Sequence, residues 1–441
     1  MKALTIHPLS THSKRVLFAL LTCATGCASA ASGSDPTVTA LQAVSEHNRD
    51  RWEAKHCNDD DIESVTRTDY LLPITSDLPS PNNQGQAYLD IRVVKPVYRN
   101  HPGAPAYGSQ CTPKGVVVGV HGRSIDSVTS FDAPYNDYSL AEALAKRGIT
   151  SYLVNLLGTG LSSRFSLDNP CNTTKADQTN FLIPNPLSAT CNPADPNVLT
   201  HTNAMVGQLD AVVDHAISET GVDAVSLFAW SRGGFVAGPY AERYPAKLKN
   251  MVFYAGNYIV AGGGVPVPDN PPPVPDAGVP GGVSSRAATL ATWNSQISAA
   301  CPGQRDPGIL DPLWESLMDR DPLGATWGSG GVARFPNPTL WGWNKKNAVH
   351  VTTPLLILSG LLDTSVPTAF EQQLYDDVAS TKKVLVKMAC ASHYAVWEGS
   401  TVWAGPHSIV QRATADWIIG ESFNGTSHGI FNVSNTGAIS P

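Results

Sequence analysis

Three short, almost wholly apolar runs limit this chain more than any other feature: residues 115–120 (GVVVGV), 224–229 (AVSLFA) and 354–359 (PLLILS). A strand with no polar face has to be covered on both sides, and helices crossing between parallel strands are the usual cover. Segments with helical spacing stand between these runs. Residues 139–147 stop at Gly148, residues 205–220 stop at Gly221, and further helices are expected from the turn after 229 to Tyr244, at 367–380 and at 408–419. Additional strands fit at 150–155, 248–254 and 383–388, while 87–98 alternates apolar and polar residues as a half-buried strand does. The chain therefore predicts an α/β fold, a mostly parallel, doubly wound sheet with helices on both faces. The sheet is expected to begin at 87–98, because 31–80 reads as polar and irregular.

Residues 1–30 read as an export signal. Lys14 and Arg15 precede the apolar run 16–21, and Ala28-Ser29-Ala30 offers small residues for cleavage. That run is too short to span a bilayer, so no transmembrane segment is expected. A rival reading takes Ala24-Thr25-Gly26-Cys27 as a lipoprotein signal with Cys27 acylated, although Ala24 stands where a bulky aliphatic is preferred. Cleavage near Ala30 leaves Cys57, Cys111, Cys171, Cys191, Cys301 and Cys390, an even number in a chain bound for oxidising surroundings, secreted or periplasmic. Three disulfides are expected. Cys171 and Cys191 are the pair to expect together, since both sit in one Pro/Asn-rich loop, 156–199. No cysteine has zinc-ligand spacing to another or to a histidine, so no metal site is expected. Nor does a formal net charge of -7 without like-charge runs suit a nucleic-acid partner.

The alternation breaks at 261–350, where a Pro/Gly/Val-rich stretch leads into segments containing Trp314, Trp327, Trp341 and Trp343. This divides the mature chain into a core of 31–260 and 351–441 with a cap or lid, 261–350, inserted in it.

Run 224–229 passes directly into Trp230-Ser231-Arg232-Gly233-Gly234 and a helix. Small residues two before and two after Ser231 leave room for a sharp strand-to-helix turn that exposes a hydroxyl at a helix N-terminus. Here the chain resembles the α/β-hydrolase family, with Ala229 in place of the first glycine of G-x-S-x-G. Two further motifs carry the resemblance: Asp363, in Gly360-Leu361-Leu362-Asp363 after the third apolar run, and His393, in Ala391-Ser392-His393-Tyr394 after the last expected strand. Each lies beyond a strand's carboxyl end, and the chain order is Ser, acid, His. Asp376 and Asp377 on an expected helix, and Glu398, too close to His393 to come from a separate strand, are the weaker acid candidates. His121-Gly122-Arg123-Ser124 is similar to the family's oxyanion loop. The resemblance implies backbone N–H donors at Arg123 and Arg232, with His121 structural; the Arg123 side chain, at a loop tip, is expected to be solvated rather than to touch a substrate's polar end.

By that resemblance the chain is expected to be a secreted serine hydrolase acting through an acyl-enzyme and needing no cofactor. Its substrate would be a small-molecule carboxylic ester or lactone, apolar or aromatic given the cap tryptophans with Trp230 and Trp397. An exported peptidase or amidase with the same triad is the alternative. A silent binding protein on this fold would be expected to have lost one of Ser231, Asp363 and His393, and all three are present.

Overall fold

The computed structural model describes residues 59–75, 85–99, 112–194, 200–260 and 281–441, all within one compact unit, Glu53–Pro441. The export signal with Cys27, the cysteines Cys57 and Cys111, and most of the Pro/Gly/Val-rich stretch lie outside the described residues.

The strands are β1 (Ile62–Thr75), β2 (Gln86–Tyr98), β3 (Gly115–Val120), β4 (Ile149–Asn155), β5 (Val225–Trp230), β6 (Leu248–Tyr254), β7 (Gly281–Ser285), β8 (Val332–Pro336), β9 (Leu355–Gly360), β10 (Lys383–Met388), β11 (His428–Val433) and β12 (Ile439–Ser440). Ten form one sheet in the order β1-β2-β4-β3-β5-β6-β9-β10-β11-β12. Strands β4 to β11 in that row are mutually parallel, and the antiparallel pairings are β1 with β2, β2 with β4, and β11 with β12. The apolar runs occupy the middle of the sheet, and every residue of β3, β5 and β9 is buried.

Their side chains feed two separate cores, because successive residues of a strand point to opposite faces. Phe228 and Trp230 of β5, with Leu356 and Leu358 of β9, pack on the face covered by the helix Pro406–Gly420. Val225, Leu227 and Ala229, with Leu355 and Ile357, pack on the face covered by Thr202–Thr220 and Gly234–Arg243. Gly221 ends the first of these helices at φ 70°, a left-handed cap that glycine adopts freely.

Two regions differ from expectation. Residues 62–75 are a strand rather than irregular chain, and β1 escapes a hydrophobic reading because it is a sheet edge with mostly exposed positions, Glu63, Thr66, Arg67, Thr68 and Asp69 among them. Backbone pairing to β2 and the ion pairs of Arg67 with Asp132 (2.9 Å) and Asp69 with Arg92 (2.7 Å) hold it. Beyond the terminal helix, β11 continues the sheet beside β10, where no strand was expected.

In 281–350 the described residues form the antiparallel pair β7–β8 and the helices Arg286–Asn294 and Leu310–Asp319. Ion pairs of two buried arginines join this segment to the core: Arg320 to the buried Asp90 (3.1 Å) and the exposed Asp69 (2.6 Å), and Arg334 to the exposed Asp168 (2.7 Å). Cys171–Cys191 is a disulfide as expected, and Cys301–Cys390 is a second. Among the described residues no helix is long and apolar enough to cross a membrane.

Candidate active site

The chain order places β4 on one side of β3 and β5 on the other, which opens a crevice at the carboxyl edge where a parallel sheet receives its ligands. Ser231 follows β5 directly at φ 54°, a left-handed conformation unusual for a residue with a side chain. Close packing imposes that turn. A Cβ on Gly233 would lie 2.6 Å from the Val120 carbonyl oxygen, and one on Gly122 would lie 3.3 Å from the Ser231 Cβ. Asn257, just past β6, braces the elbow from the other side: its backbone N–H donates to the Ser231 carbonyl (2.9 Å) and its Nδ2 to the Ser231 Oγ (3.4 Å).

Asp363 and His393 come together as their positions predict. His393 Nδ1 lies 2.7 Å from Asp363 Oδ2, and the other carboxylate oxygen accepts the backbone N–H groups of Ser365 (2.7 Å) and Val366 (2.8 Å). All three residues are buried, and Ser231 and His393 line one cleft of about 610 Å³. No hydrogen bond joins the Ser231 hydroxyl to His393 among the described residues; such contacts often tighten only with substrate present.

Arg123 and Arg232 line the same cleft. The buried Arg232 guanidinium donates to the carbonyls of Arg123 (2.7 Å) and Pro336 (2.9 Å), so it ties the loop after β3 to the elbow. Burial, aided by the Arg123 charge, pulls that guanidinium down to about 9, and it remains cationic at neutral pH. The Arg123 side chain is not merely solvated. It lies 4.9 Å from the centre of the Phe335 ring and donates to Asn337 Oδ1 (3.1 Å). His121 is structural, as expected: Nε2 accepts from the Leu156 N–H (3.2 Å), leaving Nδ1 to donate to the Gly122 carbonyl (2.8 Å). Burial, with the Arg232 charge adding to it, pushes its pKa down to about 3.

Of the six tryptophans singled out, Trp230 lines the cleft. Trp343 packs on Phe253 and Tyr258, Trp341 stacks on His201, and Trp327 belongs to a small core with Leu182 and Val332. Trp314 and Trp397 border a neighbouring apolar cavity that shares Ile125 and Tyr394 with the cleft. The cleft wall is mixed, with Phe181, Phe235, Phe335 and Leu340 beside Asp177 and Ser284. Asp377 is elsewhere, accepting from the Tyr258 hydroxyl (2.9 Å).

Glu398 is close to His393 in space as in sequence, but it faces the residue before it. It accepts from Ser392 N (2.8 Å), Ser392 Oγ (2.5 Å), Trp293 Nε1 (2.8 Å) and Gln304 Nε2 (3.0 Å), and burial pushes its carboxyl up to about 7. Trp230 Nε1 donates to the His393 carbonyl (3.0 Å) and the Tyr254 hydroxyl to that of Ser392 (2.5 Å). Asn257 and Tyr254 carry no motif, so the sequence offered no signal for them, and Glu398, weighed as an acid for the histidine, buttresses its loop instead.

A strained residue at a strand-to-helix elbow, facing a histidine–carboxylate pair across a crevice, defines an α/β protein whose site is built on the sheet's carboxyl edge. The chain belongs to the alpha/beta hydrolase family, whose model matches residues 117–402. A search of curated proteins returns no match. Among solved structures the chain is similar to a monoacylglycerol lipase of Paleococcus ferrophilus (19% identity, 70% of this chain and 96% of that one, TM-score 0.41). It is also similar to a thermophilic esterase from Thermogutta terrifontis (14%, 79% and 97%, TM-score 0.43) and a naproxen esterase from Bacillus subtilis (12%, 79% and 90%, TM-score 0.40). Likeness at this level carries no argument about activity.

Proposed function

We propose that this chain is an exported serine hydrolase that cleaves carboxylic esters or lactones, with Ser231 as nucleophile, His393 as base and Asp363 as its orienting acid. The observation that carries the reading is the 2.7 Å contact between His393 and Asp363 in the cleft that also contains the strained Ser231. A serine hydroxyl needs a base to take its proton, and Asp363 holds the imidazole with Nδ1 protonated so that Nε2 is free to do so. Attack on the carbonyl gives an oxyanion, for which the backbone N–H groups of Arg123 and Arg232 are the donors. His393 then protonates the leaving group, and water releases the acyl-enzyme by the same route.

Phe181 and Phe335 on the cleft wall favour an ester with an apolar or aromatic portion. The described part of the expected cap, residues 281–350, supplies Val283, Ser284, Ala288, Thr292, Phe335 and Leu340 to the cleft wall, which supports its reading as a cap over this site. Two disulfides favour an oxidising compartment, in keeping with the expected signal at 1–30.

A chain-length series of p-nitrophenyl esters, given to the wild type and to Ser231→Ala of matched folding, tests the reading. Turnover at least about 10³-fold lower in the variant is expected. Full activity in Ser231→Ala would refute the assignment, and a wild type active only on aminoacyl anilides would move the chemistry to peptides or amides.

A further inference from the structure

The 2.7 Å contact between His393 and Asp363 requires two loops, one after β9 and one after β10, to keep a fixed separation. Backbone bonds tie the roots of the two loops, the Leu361 N–H to the Met388 carbonyl (2.9 Å) and the Leu362 N–H to the Ala391 carbonyl (2.9 Å), and they stop short of Asp363 and His393 themselves. One buried side chain from a third segment spans both. Gln296, 3% exposed and just beyond the helix Arg286–Asn294, accepts the backbone N–H of His393 on Oε1 (2.9 Å). Its Nε2 donates to the Ser365 hydroxyl (3.2 Å), and the Ser365 backbone N–H is one of the two that hold the Asp363 carboxylate.

The strut is itself anchored. Gln304 Nε2 donates to the Gln296 carbonyl (3.2 Å) and to Glu398 Oε1 (3.0 Å), Trp293 Nε1 donates to the same oxygen, and Cys301 is bonded to Cys390, three residues before His393. The segment that carries Gln296 is thus bolted to the histidine loop on both sides of the amide.

We infer that Gln296 is a positioning residue for the hydrolysis, a cap-segment amide that sets the separation and orientation of His393 and Asp363 by hydrogen-bonding both loops at once. The inference rests on the triad reading above. Its role is geometric: backbone bonds fix the roots of the two loops, and each end of the amide holds one loop beyond them, where the acid and the base sit. A displacement of the base by about 1 Å is enough to cost about two orders of magnitude in turnover without altering how substrate binds.

The test uses the full-length enzyme on a p-nitrophenyl ester, with kcat expressed per site titrated by a fluorophosphonate and folding followed by Tm. Gln296→Met keeps the volume and removes both hydrogen bonds; kcat is expected to fall about 10- to 100-fold with KM changed less than about twofold. Gln296→Glu keeps the acceptor for His393 and lets the Ser365 hydroxyl donate in turn, so kcat is expected within about fivefold of wild type. Should Gln296→Met not fold, Gln296→Asn keeps the amide but is too short to reach both loops, and the same fall in kcat is expected. Wild-type kcat in Gln296→Met or in Gln296→Asn, an equal loss in Gln296→Glu, or a loss that appears in KM alone would overturn the inference. Ser231→Ala run alongside separates the two readings: activity retained there overturns the triad, whereas an inactive Ser231→Ala beside an unimpaired Gln296→Met overturns only the strut.

Discussion

Replacing Glu398 by glutamine separates the cost of burying its charge from the hydrogen bonds that the carboxyl makes. Burial raises the group from an ordinary 4.5 to about 7 even though four donors favour the ionised form. Between those two values the folded protein keeps a proton that the unfolded chain has released. Stability is therefore greatest below about 4.5, declines as pH rises through about 7, and is flat above, as far as this residue is concerned. Carried through the linkage relation, the two values give a loss of roughly 2–3 kcal/mol between pH 5 and pH 8. Glu398→Gln has no proton to lose and lacks this slope. The amide turns its NH2 toward a donor wherever it is placed, which costs about 1–3 kcal/mol, but at both pH values alike. Urea unfolding of the two proteins at pH 5 and pH 8 with the disulfides intact, followed by tryptophan fluorescence, measures the difference. Groups common to both, His121 among them, cancel. The advantage of the wild type over the variant is expected to shrink by roughly 2–3 kcal/mol from pH 5 to pH 8. An advantage unchanged to within about 0.5 kcal/mol would refute the reasoning that desolvation outweighs the four hydrogen bonds.

Two further outcomes are expected beside the Ser231 and Gln296 experiments. Gly233→Ala brings a Cβ to 2.6 Å of the Val120 carbonyl and 3.0 Å of the His121 carbonyl, so the loop after β3 has to move. A stability loss of about 1–3 kcal/mol with a fall in kcat of at least about tenfold should appear in thermal melts and ester kinetics, and a neutral variant would show that the elbow has slack. Arg334→Met leaves the buried Asp321 without the guanidinium 2.6 Å away, with Arg164 at 3.5 Å as its remaining cation beside the backbone N–H groups of Gly324 and residue 334. A loss of about 3–5 kcal/mol in chemical denaturation is expected, and less than about 1 kcal/mol would mean that Arg164 compensates.

The central sheet was legible because its strands carry no polar face: residues 115–120, 248–254 and 383–388 are the observed strands to the residue. The edges were hidden for the converse reason. β1 shows its charged side chains to water and owes its place to backbone pairing, which leaves no pattern in a sequence. Ser231, Asp363 and His393 could be named because each stands a few residues past an apolar run, and a parallel sheet gathers all such positions on one edge. The roles of the tryptophans could not be separated, since a large apolar side chain packs as well in a core as in a cleft.

By itself, then, the sequence determined a doubly wound sheet, the elbow at Ser231 and the order of the three site residues, all of which follow from local composition and strand periodicity. Only the tertiary structure decided what holds them in register: Asn257 behind the serine, Arg232 across to the Arg123 loop, and Gln296, Glu398 and the Cys301–Cys390 bond around the histidine. Those partners lie 26 to 109 positions apart in the chain, apart from the short Ser392–Glu398 link. A hydrogen bond between side chains so distant is set by how the loops fold over one another, and no local pattern of residue types records it.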